Sequence, residues 1–538
     1  MASSRGNPLA RALAGLERLA ARRLGSLLLF GLGLAVFSFR AIAWPLKAGR
    51  DLDEYLYAYI QLFDRDVLLP WSMLFRTPLT PVISGLSLDV AGGALAEPVV
   101  AVLFAASVLA WSRAALAFGP RVALIVAGAL LVYPGYGAMF HELSSETVFA
   151  AVFSGWALLV TQAAFRPSAA RFALVGLGVA ALALVRPGNA VLLAFGVFPL
   201  CLAGSWRNRL HWAGAFALAA VIPLGAWTVH NGLRFDSYAL ARGGNAIIPF
   251  YRAFITDGIV APENGEASQQ LAAAMQRHLL TRDPYRSYNV TADELFRDGS
   301  FRVHEDLYLL SDQIFGWHTD YEILRKAGLE AVRAHPDEYA SGVLGTVRDE
   351  LADAYFRPLP TQRTKANVRG EPTTVVGGTR LPPPTEGEPI PSGQVVWISR
   401  PDQSIRQVWT SGTDWHFAFD NPGDRARLRE IETERDDLLS ALPDRRGNAT
   451  LALRLDQLSR WFPRPWMWIV LGLAAMAIRR PRGSATLAAI ALSALAVVVL
   501  NALGLFADLH FVLPVAPAFV LFGAGALLGM RRGALSAT

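Results

Sequence analysis

Apolar residues in this chain come in uninterrupted blocks about as long as a bilayer core is thick, not at helical or alternating periods. The clear blocks run over residues 24–44, 96–117, 121–139, 143–165, 211–229, 462–478, 484–506 and 510–530. Two shorter ones, 172–185 and 189–204, sit at or below the roughly 17-residue minimum for a straight span, so they read either as two spans or as a re-entrant pair. Backbone amides in lipid must be satisfied within their own segment, and no barrel-type alternation is present. The pattern therefore predicts an all-α polytopic membrane protein, a bundle of about ten transmembrane helices.

Between 231 and 460 the pattern changes to mostly polar sequence, which predicts a large, mostly helical insert between two membrane modules, 1–230 and 461–538. Within it, 267–281 and 320–356 have helical patterning, with Pro336 starting a second helix after His335. The prolines of 357–395, including Pro382, Pro383 and Pro384, predict a linker or extended cover. A short strand is expected at 395–398, then helices near 423–441 and 448–460.

Arginine decides orientation, because basic residues in short loops stay on the cytoplasmic side. Arg5, Arg11, Arg18, Arg22 and Arg23 precede the first block, and arginines fill every second connection afterwards, ending at Arg531 and Arg532. Both termini are expected in the cytoplasm of a multi-pass protein of a bacterial inner (plasma) membrane. The segment after the first span, the 231–460 insert and Asp508 then face out. No cleavable signal peptide is needed ahead of the long first span.

Composition adds limits. The chain has 538 residues, 53% hydrophobic and 17% charged, and its net charge of +6 comes largely from these topogenic arginines, so no nucleic-acid partner is read from it. Cys201 is the one cysteine, which excludes an intrachain disulfide.

Chemistry concentrates just past the first span, in Asp51-Leu52-Asp53-Glu54-Tyr55 with Tyr57 beyond. A carboxylate there accepts a proton from a hydroxyl at neutral pH, and in a helix Asp53 and Glu54 point about 100° apart, so one acts while the other binds or caps. The bland alternative is Asp51 capping a helix, with Asp53 and Glu54 favourable to its dipole. Asp51-x-Asp53 is also a spacing that takes a divalent cation, although no metal ligand set is assigned.

Three basic residues share that side. Arg76 reads as a phosphate contact or as a headgroup-snorkelling side chain. Arg186, ending an apolar block, needs an anion: a lipid-linked phosphate, a headgroup or the carboxylate of Glu146. Glu146 also fits as a dipole partner of the helix it opens. His510 begins the last span, as an interfacial residue or a ligand.

The acidic cluster, the Thr77-Pro78-Leu79 segment, Ser145-Glu146, Leu184-Val185-Arg186-Pro187 and His510-Phe511-Val512-Leu513-Pro514 together resemble the C-type (GT-C) glycosyltransferase superfamily. The resemblance is nearest to the bacterial branch of protein O-mannosyltransferases and aminoarabinose transferases. It covers the membrane modules, but little of the insert beyond Trp227–Gly232 and Ala334–Tyr339.

It implies a GT-C-like fold and an inverting transfer from a polyprenyl-phosphate sugar donor to a lipid, polysaccharide or protein acceptor. In that resemblance Asp53 is the general base, Glu54 supports it, and Asp51, Tyr55, Tyr57, Arg76, Glu146, Arg186 and His510 bind substrate. Relatives often carry arginine where His510 stands. The competing readings are a transporter or flippase of lipid-linked saccharides and a scaffold whose insert binds envelope polymers or partner proteins.

Overall fold

The computed structural model describes residues 8–530 apart from 284, 299–300, 353–362, 367–371, 376–392, 394, 399–404, 410–414, 480 and 506–508. The chain is mostly helical. Among the described residues, six segments are long and apolar enough to cross a membrane: Arg23–Ala41, Ala96–Leu116, Ser145–Phe165, Trp206–Phe235, Ala449–Arg479 and Ser484–Gly504. Four shorter apolar helices, Pro120–Val132, Ala169–Val185, Pro187–Cys201 and Ala516–Leu528, fall on the remaining hydrophobic blocks.

The differences from the expected blocks have local causes. The block at 121–139 breaks at Pro134, which has no amide to continue the ladder and starts a new short helix, Pro134–Met139. Pro187–Cys201 winds as a 3₁₀ helix, whose rise of about 2.0 Å per residue gives fifteen residues a reach of about 30 Å. The Ala449–Arg479 segment is interrupted at 461–464, so Ala449–Arg460 and Pro465–Arg479 are separate helices.

The apolar helices share one core containing Phe104, Trp111, Phe153 and Trp156, all essentially inaccessible. Small residues let the backbones approach: a Cβ on Gly33 would come within 2.9 Å of Ala105 Cα on the neighbouring helix. Around the future site, Lys47–Ala48 pairs in parallel with Glu142–Leu143, tying the segment after the first helix to the start of Ser145–Phe165. Gly49 follows because a Cβ there would strike Ser144 at 2.5 Å.

The insert has its own core around Phe250, Phe254, Leu271, Leu307 and Leu324. The helical patterning expected over 320–356 forms Glu322–Ala334 and Pro336–Ala352, with Pro336 at the start of the second as predicted; residues 353–356 lie outside the described residues. Most of the predicted 357–395 linker also lies outside them, and its described parts include the antiparallel strands Arg363–Ala366 and Pro372–Val375. The short expected strand is the edge of a three-stranded antiparallel sheet, Val396–Ile398, Ile405–Trp409 and Trp415–Phe419.

Several contacts fasten the insert to the membrane module, at two places above all. Arg252, 1% exposed, donates to the Ala502 and Leu505 carbonyls at 2.7 and 3.0 Å, and the Tyr339 hydroxyl donates to Leu503 at 2.6 Å. These carbonyls end Ser484–Gly504 and have no amide of their own helix to accept from. On the other side, helix Pro422–Ser440 packs on the first-loop helix Leu52–Gln61 through Leu428 and Ile431 against Tyr57 and Leu69.

Candidate active site

The site is built on the Lys47–Glu142 pairing, which sets the acidic first loop beside the turn that opens Ser145–Phe165. Asp51 stands at the start of helix Leu52–Gln61 with φ 58°, a left-handed conformation that aspartate tolerates, and makes no side-chain cap bond. Its carboxylate instead faces Arg76 at 3.5 Å and Arg50 at 3.7 Å. Glu54, one turn further, accepts from the same Arg76. The Arg76 guanidinium also lies over the Tyr55 ring, 5.2 Å from its centre. The capping alternative for Asp51 therefore fails, because its side chain turns away from its own helix.

The second half of the cluster pairs Glu146 with Arg186 at 2.6 Å and sets His510 3.7 Å from Glu142. Ser144 caps Ser145–Phe165 by accepting from the Thr147 amide at 3.5 Å, and Glu146 lies in that helix's first turn. Arg186 follows Ala169–Val185, and Thr80 steadies that helix end by donating to the Val185 carbonyl at 3.1 Å. Phe511 joins the halves: Arg50 and Arg186 each lie over its ring, at 5.8 and 5.6 Å.

Six predicted residues thus converge with Tyr55: Asp51, Glu54, Arg76, Glu146, Arg186 and His510. Asp53 lies on the same first turn as Glu54, exposed, with no ion pair or hydrogen bond among the described residues. Tyr57 is placed elsewhere. It is buried against Trp71 and the Pro422–Ser440 helix, and its hydroxyl accepts from Arg435. Arg50, Glu142 and Phe511 were missed, though each adjoins in sequence a residue or loop already singled out.

Electrostatics follow from the pairing. Burial pulls the Arg76 guanidinium toward neutrality, but Glu54, Tyr55 and Asp51 outweigh it and hold it above its ordinary value. Burial raises the Tyr55 hydroxyl, opposed by Arg76 and Arg186. Glu142 is raised chiefly by burial, against the pull of His510. The arginines keep an open side, with the side chains of Arg76 and Arg186 26% and 21% exposed.

The residues do not suit the divalent-cation alternative for Asp51-x-Asp53. Asp51 is held by two guanidinium groups, and no group of three or more His, Cys, Asp or Glu side chains with metal-ligand geometry occurs among the described residues. What the cluster offers is cationic hydrogen-bond donors for an anion, next to an unengaged carboxylate.

Neither a protein-family model nor a curated protein matches the sequence. Among solved structures the chain is similar to ArnT from Cupriavidus metallidurans, crystallised bound to undecaprenyl phosphate, at 15% identity and a TM-score of 0.31. The match covers 61% of this chain and 64% of that one, so it spans less than two thirds of the solved protein.

Proposed function

We propose that this chain is an inverting membrane glycosyltransferase that moves a sugar from a polyprenyl-phosphate donor to a hydroxyl of a cell-envelope lipid, polysaccharide or protein on the extracytoplasmic face. The observation that carries this reading is the partly open arginine–carboxylate cluster at one end of the apolar helices, with Asp53 beside it and outside every ion pair among the described residues. Glu54 is engaged by Arg76 while Asp53 is open to an approaching hydroxyl, which favours Asp53 over Glu54 as the proton acceptor.

In this mechanism Asp53 takes the acceptor hydroxyl proton as that oxygen bonds to the anomeric carbon. The carbon–oxygen bond to phosphate breaks, and its electron pair leaves on the polyprenyl phosphate. Arg76 and Arg186 stabilise the charge that develops there, and the leaving group needs no separate acid because it is already anionic. Attack from the face opposite the phosphate inverts the centre. Donor binding exchanges phosphate for Glu54 and Asp51 on Arg76.

The membrane module 1–230 then supplies the base and two arginines, 461–538 supplies His510, and the 231–460 insert covers the first-loop helix. The test is purified full-length protein with labelled polyprenyl-phosphate sugars, with and without chelator. Transfer by the wild type and its loss in Asp53→Asn support the reading. No transfer from any donor, or an undiminished rate in Asp53→Asn, overturns it.

A further inference from the structure

Resting on that reading, we infer that Glu142 is a positioning residue that holds His510 protonated and turned toward the donor phosphate. Glu142 has little freedom. Its backbone is fixed by the pairing with Lys47, and its carbonyl accepts from the Thr147 hydroxyl at 2.7 Å. Its carboxylate is 9% exposed, a costly place for a charge without a cation, and His510 stands at 3.7 Å with its own side chain 7% exposed.

Charge balance gives the pair its consequence. Among the described residues, Arg50, Arg76, Arg186, Lys47 and protonated His510 stand against Asp51, Glu54, Glu142 and Glu146, with Asp53 beside them, so loss of the histidine proton leaves the cluster with more carboxylates than cations. An incoming phosphate therefore depends on the histidine proton, the one cation here whose charge changes near neutral pH. A carboxylate beside an imidazole favours its charged form.

Among the described residues, Glu146 acts on His510 directly, Arg186 and Arg50 act on Glu146 and Lys47 on Glu142, and Glu350 is buried on the helix Pro336–Ala352 that packs against the His510 segment. Ser484–Gly504, which also packs there, contributes no titratable group. Glu142 is the carboxylate in ion-pair range of the imidazole among those described, while Glu146 is spent on Arg186.

The experiment measures binding of undecaprenyl phosphate to the detergent-solubilised full chain, by tryptophan fluorescence, from pH 6 to 8.5. Wild-type affinity is expected to fall about tenfold as His510 loses its proton, and in Glu142→Gln the same fall begins about one pH unit lower. Relative to these, His510→Arg is flat, and the double variant matches His510→Arg because arginine needs no carboxylate to stay charged. The ligand's own second ionisation, near pH 6, acts on all variants alike.

A Glu142→Gln profile that coincides with wild type overturns the inference. So does a double variant as weakened as Glu142→Gln, which marks a merely structural role, or a shift produced by Glu350→Gln instead. Should the glutamine variant not fold, Glu142→Asp replaces it: the shorter side chain draws the carboxylate back from the imidazole, so the fall is expected to begin at lower pH than in wild type by less than the glutamine shift, and an unshifted profile overturns the inference. Absence of any wild-type binding sinks the functional reading together with this one, whereas binding with an unmoved Glu142→Gln profile sinks this one alone.

Discussion

Arginine–carboxylate pairs occur in the insert and at the membrane edge, and they are built to opposite ends. In the insert, Arg242 donates to both oxygens of Asp312 at 2.9 and 2.6 Å, to the Tyr321 hydroxyl at 2.7 Å and to the Trp317 carbonyl at 2.6 Å, and stacks 3.4 Å from the Trp317 ring centre. Its side chain is 1% exposed. At the membrane edge, Arg186 has its bond to Glu146 at 2.6 Å and keeps 21% of its side chain open. A saturated, sealed guanidinium holds a fold together; one with donors to spare is placed to take a ligand.

The comparison can be broken in several ways. Asp53→Asn is expected to lower transfer about 10²–10⁴-fold while leaving the thermal midpoint unchanged, since no ion pair is lost; a shifted midpoint would make Asp53 structural. Arg242→Met should do the reverse. It strands Asp312 in the insert core at a cost of about 3–5 kcal/mol, read as a lower midpoint, and Arg242→Met/Asp312→Leu should recover much of it.

His141 tests sealing at the membrane edge itself. Burial, with Arg40 and Arg445 nearby, pushes its imidazole down to about 3, while it stacks on Phe37 at 4.3 Å. Above the unfolded value, near 6.5, the residue is neutral in both states. Below it the unfolded chain takes the proton and the folded chain does not, so stability falls with pH by about 2 kcal/mol at pH 5. His141→Phe is expected to abolish that part of the midpoint drop between pH 7 and 5. The smallest effect is Arg186→Lys, which keeps the charge but loses the fork, raising the donor KM about tenfold with little change in midpoint.

The positions of the apolar helices were readable because lipid demands continuous apolar runs, and helices such as Ser484–Gly504 fall within the expected block. The convergence of Arg76, Arg186 and His510 was readable only as a shared side of the membrane. Which carboxylate meets which cation depends on the two-residue Lys47–Glu142 bridge, too short to leave a pattern. Tyr57 misled because proximity in sequence to Asp53 hides the turn of helix that sends it to Arg435. The three-stranded sheet was half visible: Val396–Ile398 shows as an apolar run, while its partners carry mixed residues such as Arg406 and His416.

The clasp at the end of Ser484–Gly504 also bears on how the chain is made. Arg252 is synthesised 250 residues before the Ala502 carbonyl it holds, and Tyr339 164 residues before that of Leu503. At about 5–20 residues per second the ribosome leaves Arg252 waiting on the order of ten seconds to a minute. Throughout that interval the buried guanidinium has no helix end to close over it, so docking of the insert is timed by insertion of the penultimate apolar helix.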